Sequence, residues 1–278
     1  MNIVKKMVGV SALALASMSA NAGVISVGGI SWDPSSVIDF SSGFTFNQFY
    51  SSVGSTGEEI TAAQFANQVA PASAAALNGA ELVGTGSFFE INENGNTGVM
   101  PYIGPFCTGG TNTCELTFSF GGLIFQDTGG LGTFDTSNSW LNIYVDYTPD
   151  FNGTTGTSDY ADAQNGSLWL SLGFDAFAIN FGGLGVGGGS EGFLSVDTVD
   201  DGGGDKFGGA AENNFDTDSI MPSGADFILN ASVLRQLPDG TFRGNGNAIG
   251  ESIPEPTSIV IFGLGLLGLA GAARRKKS

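Results

Sequence analysis

Apolar and polar residues alternate with a period of two through most of the chain between residues 23 and 240, which is the signature of half-buried β-strands. The clearest case is 140–147, where Leu141, Ile143, Val145 and Tyr147 share one face and Trp140, Asn142, Tyr144 and Asp146 the other. Segment 114–120 follows the same rule, with Leu116, Phe118 and Phe120 opposite Glu115, Thr117 and Ser119, and Gly121-Gly122 is expected to bend or end it. Further strands are predicted at 24–30, 82–91, 168–180 (Leu168, Leu170, Leu172 and Phe174 aligned), 193–199 and 227–237. Turn formers separate them, among them Trp32-Asp33-Pro34-Ser35-Ser36 and the glycine-rich or acidic stretches 92–98, 182–189 and 200–209. One short helix is predicted, from a capping box at Thr56-x-x-Glu59 through an alanine-rich run to Val69, stopped by Pro71.

Short strands spaced by Gly, Asn, Asp and Pro predict an all-β fold: a single antiparallel β-sandwich, jelly-roll or Ig-like, with long glycine-rich loops, over residues 23–240. Residues 241–253, rich in Gly and Asn, read as a flexible linker. No internal repeat points to a propeller or solenoid.

The two ends differ from this body. Lys5 and Lys6, an apolar run over 7–18 and then Ala20-Asn21-Ala22 have the layout of a secretory signal peptide, so residues 1–22 are expected to be removed after Ala22. At the other end, Pro254-Glu255-Pro256 precedes an apolar run from Ile259 to Ala273 and the basic cluster Arg274-Arg275-Lys276-Lys277. As a helix the run spans about 22 Å, short of an ordinary bilayer core. Gly263, Gly265, Gly268 and Gly271 weaken it further, and the basic end holds the cytoplasmic side.

Taken alone, these features describe a membrane anchor. Together, in this order over 254–278, they resemble the PEP-CTERM sorting signal. The resemblance implies a short transmembrane sorting helix that anchors the chain in the inner membrane only in transit. It also implies removal by an exosortase-type enzyme, and release to the cell surface of bacteria that make extracellular polysaccharide. In the body, Trp32-Asp33-Pro34 and segments 114–121, 140–151 and 214–217, with Gly224-Ala225-Asp226, are similar to parts of other proteobacterial PEP-CTERM exported proteins. That group implies export and a shared β domain but no activity.

Charge sharpens the expectation. Six of the nine basic residues lie in the two end segments, leaving Lys206, Arg235 and Arg243; of the 27 acidic residues only Glu255 lies there, leaving 26 and a net charge of −23. Such a field repels nucleic acid and favours solubility or divalent cations. The two cysteines, Cys107 and Cys114, are expected to close a small disulfide loop, since the chain is exported and two thiolates without histidine do not complete a metal site.

The absence of histidine removes Ser-His-Asp and Cys-His schemes. A carboxylate pair for glycoside cleavage cannot be picked out among so many acids, and the chain is expected not to be an enzyme. The face of Trp140, Asn142, Tyr144 and Asp146 offers an aromatic platform with amide and carboxylate groups, as sugar binding requires. The same alternation fits a strand covered on both sides, with Trp140 and Tyr144 in the core.

Calcium is the cofactor that the acidity suggests, although no metal ligand set is assigned. Glu90-x-Asn92-x-Asn94-Gly95 begins a calcium-loop spacing but reaches Pro101 at position twelve; Asn214-x-Asp216-x-Asp218 has Ser219 where a turn glycine belongs; Asp197, Asp200, Asp201 and Asp205 crowd one loop. The expectation is an exported, non-catalytic cell-surface or extracellular-matrix protein associated with exopolysaccharide and biofilm. The alternative is a carbohydrate- or calcium-binding module of that matrix.

Overall fold

Phe40, Ser42, Phe44, Phe46, Gln48 and Tyr50 form a buried row along a twelve-residue strand, β3 (Phe40–Ser51), and this row is one wall of the core. The computed structural model describes residues 23–92, 94–95, 106–108, 113–129, 132–153, 157–180, 188–196, 209–220, 224–237 and 240–253. β3 bonds along both edges, to β5 (Glu81–Ile91) on one side and to β13 (Phe242–Gly250) on the other. From β5 the sheet runs through β7 (Glu115–Gln126), β9 (Trp140–Asp146), β10 (Ser167–Asn180), β11 (Gly189–Ser195) and β12 (Phe227–Gln236) to β13, every pairing antiparallel. The result is a closed, eight-stranded, up-and-down barrel.

The expected sandwich is therefore corrected to a barrel. A sandwich keeps free strand edges, whereas each of these eight strands has two hydrogen-bonded neighbours. The expected linker is corrected as well, because residues 242–250 are β13, the stave that closes the ring. The packed unit extends from Val24 to Ile253. The expected signal peptide and sorting helix fall outside the described residues, and no described helix is long and apolar enough to cross a membrane.

The interior is filled by phenylalanine over glycine. Gly84 and Gly86 on β5 stand opposite Phe120 and Phe118 on β7, and Gly244 and Gly246 on β13 stand opposite Phe46 and Phe44 on β3. An eight-stranded barrel is just wide enough for its side chains, so a ring on one stave fits only where its neighbour carries none. Four glycines and four phenylalanines are used in this way. Among the described residues, apolar cavities of about 20 Å³ lie against Phe44, Phe118, Leu141 and Leu229, with room for little more than a water molecule.

Both mouths are plugged. At one, the hairpin of β1 (Ile25–Val27) and β2 (Ile30–Trp32) inserts Trp32 between Phe40, Trp169 and Phe215, the last from α4 (Glu212–Phe215). A bulge between Leu168 and Leu170 turns Trp169 into this cluster and leaves Leu168 facing solvent, which breaks the predicted alignment of Leu168 with Leu170. At the other mouth Phe125 packs edge-on against Tyr50 and Phe134, the latter on β8 (Thr133–Asp135). Leu77, from α2 (Ala74–Leu77), is wholly buried in the same core.

Gly121-Gly122 does not end its strand. β7 continues to Gln126, and Gly122 takes a positive φ of 72° beside Asn138 and Ser139. The predicted helix is shorter and starts later. α1 (Ala62–Ala66) is capped by Thr61, whose N–H donates to Gln64 Oε1, and residues 68–69 leave it as β4 (Gln68–Val69).

Outside, the barrel has two characters. On β10 to β13, Asp175, Glu191, Asn230, Ser232, Asn245 and Asn247 face water. Polar-out, phenylalanine-in is the reverse of the pattern of barrels that cross outer membranes. The outer faces of β3, β5, β7 and β9 are instead covered, by segments 55–66, 150–153 and 157–164, which include α1 and α3 (Thr157–Asp162).

Candidate functional site

Strand β9 presents Trp140, Asn142, Tyr144 and Asp146 outward, as its alternation requires, but the coat lies over them. Trp140 joins Phe49, Ile60, Val83 and Tyr160 in a second, smaller apolar core and is 2% exposed; Tyr144 is 8% exposed. Asn142 is held on both ends of its amide, donating to Glu58 O and accepting from Ser171 Oγ. Burial raises the Tyr144 phenol above its ordinary range. A sugar ring needs an open aromatic face, so the expected ligand platform is corrected to a covered wall.

The polar end of that wall is different. Glu115 and Asp146 are directly paired across β7 and β9, and Asp150 follows in the loop after β9. One carboxylate oxygen from each of the three lies within 4.8 Å of the other two. Glu115 is fully buried and Asp146 is 7% exposed, whereas Asp150 stands at the surface.

Glu115 Oε1 accepts from the N–H groups of Asp150 and Phe151, and Asp146 Oδ1 accepts from the N–H and hydroxyl of Thr148. The second oxygens, Glu115 Oε2 and Asp146 Oδ2, are sealed from water and accept no hydrogen bond. Burial pushes Glu115 up to about 7, with the Asp146 and Asp150 charges adding to the rise and the two N–H donors opposing it. Like charges directly opposite on neighbouring strands are destabilising unless something neutralises them. Sequence reading placed Asp146 on the outer face but passed over Glu115 and Asp150, because strand register decides which acids meet.

The calcium spacings read from the sequence are used otherwise. Glu90, Asn92 and Asn94 belong to the corner between β5 and β6 (Asn94–Gly95), where Asn92 has a φ of 47° and its amide donates to Ile38 O and Asp39 O. Asp216 and Asp218 do converge, on the buried Asp226. There, however, Asp226 Oδ1 accepts from Thr217 and Asp218, and Oδ2 from Val196, so its carboxylate is consumed in tying a loop to the barrel. Asp197, Asp200, Asp201 and Asp205 lie outside the described residues.

Cys107 and Cys114 are bonded to one another, with Cα atoms 5.9 Å apart. The strip containing Cys107 pairs with β2 through Ser31 N–H to Phe106 O and Thr108 N–H to Gly29 O, and Cys114 leads into β7. The disulfide joins the plug hairpin to the barrel wall.

The barrel also holds the approach to the C-terminal segment. Ser252 donates its N–H and hydroxyl to Asp39 and accepts from Trp32 Nε1, while Ile253 N–H donates to Asn214 O. Pro254, Glu255, Pro256, Arg274 and Arg275 lie outside the described residues. Residues 252–276 match the family model of the PEP-CTERM protein-sorting motif. The PEP-CTERM tail marks an exported protein, anchored transiently in the membrane before processing by exosortase, itself a membrane enzyme. No curated protein and no solved structure matches the chain.

Proposed function

We propose that the chain is a non-catalytic component of the bacterial cell surface or extracellular matrix, delivered through its PEP-CTERM tail. The observation that carries this reading is the sorting motif at 252–276, beginning where the last barrel stave ends. The body supports it in three ways. Its interior is filled with aromatic side chains, its mouths are plugged, and its mature charge of −23 suits a soluble, non-aggregating surface. The chemistry of the sequence adds to this, since a chain without histidine lacks the usual general base. Extracellular polysaccharide is the partner class that this reading names.

The test pairs a gene deletion with biochemistry. Loss of the gene is expected to change cell aggregation or biofilm cohesion, and the secreted protein to release no product from a panel of glycans, esters and peptides. Unaltered surface and matrix properties in the deletion strain, or turnover of any substrate in the panel that is lost with an active-carboxylate variant, would overturn it.

A further inference from the structure

We infer that Glu115, Asp146 and Asp150 form a binding site for a calcium ion on the outer wall of the barrel. The site stands apart from the sorting reading and does not depend on it.

Three observations meet there. The first is convergence: three carboxylates from two adjacent strands and the following loop bring one oxygen each within 4.8 Å of the others. Two oxygens bound to one calcium ion at its usual distances lie up to about 5 Å apart, so this spread fits that ion.

The second is the pair of unused oxygens. Glu115 Oε2 and Asp146 Oδ2 are buried acceptors on side chains at least nine-tenths buried, and nothing among the described residues donates to them. A buried, unsatisfied carboxylate oxygen costs about 1–3 kcal/mol or more, and two together are retained where a ligand satisfies both.

The third is electrostatic. The charges that bear on Glu115 are Asp146 and Asp150, both negative. Arg243, one of the two arginines of the barrel, is occupied with Gly153 O. A cation is the missing counter-charge.

The remaining geometry selects the type of cation. All donors are hard oxygens, with no sulfur or imidazole, which disfavours zinc and copper. Asp150 at the surface leaves the outer side of the ion to water, so three protein ligands are completed to the six to eight that calcium takes. Magnesium requires tighter octahedral packing and sheds its water reluctantly, so it binds this spread less well. Three carboxylates with a water-facing side suit the affinity range of extracellular calcium modules, about 10⁻⁴–10⁻³ M. The competing occupant is a proton on Glu115, which would remove its charge without any metal.

The full chain, purified in detergent and stripped with a chelator, is titrated with calcium by calorimetry and melted at increasing calcium concentration. Saturable binding of one calcium per chain is expected, with a Tm that climbs as calcium rises and a smaller response to magnesium. Asp150 also accepts from Asn165 Nδ2, a surface contact that Asp150→Asn can keep through its remaining oxygen while losing the charge, and this variant is expected to weaken binding roughly tenfold. Glu115→Gln copies the protonated acid and keeps the acceptor for the Asp150 and Phe151 N–H groups, so it is expected to fold and to abolish binding. The pair Asp216→Asn and Asp218→Asn, in the other acidic cluster, is expected to leave binding unchanged. Absence of any calcium response in the unaltered chain, or a response that survives Glu115→Gln and Asp150→Asn, would overturn the site and leave a proton on Glu115 as occupant.

Discussion

Gly86 on β5 and Phe118 on β7 face one another across the barrel wall, and the ring of Phe118 occupies the space that a side chain at residue 86 would fill. A Cβ there would sit 2.2 Å from Phe118 Cζ and 2.3 Å from Thr45 O on the other neighbouring strand. The ring can shift only into a packed core, and the carbonyl is fixed by the sheet. Gly86→Ala is therefore expected to destabilise the protein by about 3 kcal/mol or more, toward the upper end of overpacking effects. Gly244→Ala, with Phe46 and Ser232 O at similar distances, is expected to behave alike. Gly57→Ala, where a Cβ meets nothing within 4 Å, serves as the control and is expected to be near neutral in chemical denaturation.

The same pairing explains what could and could not be read from the chain. Strands with strict apolar alternation, such as β9, were legible together with their two faces. Strand β13 was not, because Arg243-Gly244-Asn245-Gly246-Asn247 has the composition of a linker; the two inward positions within that run, Gly244 and Gly246, carry no side chain, and the rings that cover them, Phe46 and Phe44, belong to β3. Strand β3 was not predicted either, and without β3 and β13 the ring lacks the two adjacent staves that join β5 to β12, so the remaining strands read as an open sandwich. Whether the outer face of β9 was wet or covered depended on segments 55–66 and 157–164 folding back over it, a tertiary fact with no local signature. The meeting of Glu115 with Asp146 depended on register, which alternation alone leaves free.

Because β13 bonds to β12 and β3 along its length, its removal exposes two strand edges and opens the core at once. A chain stopped after residue 240 is expected to aggregate or to melt without a cooperative transition. A chain stopped after Ile253 is expected to fold, with a sharp thermal transition and retained near-ultraviolet circular dichroism. Cooperative folding of the shorter chain would mean that the barrel does not need this stave.

The disulfide contributes by restricting the unfolded chain. For the short loop between Cys107 and Cys114, chain entropy alone predicts about 2–3 kcal/mol. Replacing both cysteines with serine is expected to lower urea stability by that amount. It is also expected to speed hydrogen exchange at Ser31 and Thr108, whose N–H groups bond across the clipped strip. Unchanged exchange at those amides would separate the plug from the disulfide.

Asp39 gives the barrel end a pH dependence of definite sign. Burial, with Glu251 and Asp33 adding, raises its carboxyl above the ordinary range, although Ser252 donates two hydrogen bonds to it. The folded state then holds the proton more firmly than the unfolded state. The stability from this group is fully present below the ordinary carboxylate pKa and is lost as pH rises through the raised folded value. Asp39→Asn keeps an acceptor for Ser252 without the charge. Measured with chelator present, its melting temperature is expected to gain on that of the unaltered chain as pH rises above the ordinary carboxylate range. A constant difference over that rise would show that Asp39 does not titrate with folding.

The anchoring of Ser252 and Ile253 also limits where the sorting tail can be cut. A processing enzyme must draw the target peptide bond into its active site as an exposed, extended segment. Bonds within β13 are paired on both sides, and those at Ser252 and Ile253 are held by Asp39, Trp32 and Asn214. Cutting there requires local unfolding of the barrel end, whereas Pro254 is the first residue beyond the anchored pair. The mature C-terminus is therefore expected at or beyond Pro254. Intact-mass measurement of the secreted protein reads it directly. A species ending within 242–253 would show that the barrel end opens before processing, and one that retains Ile259 to Ala273 would show that the tail is not removed at all.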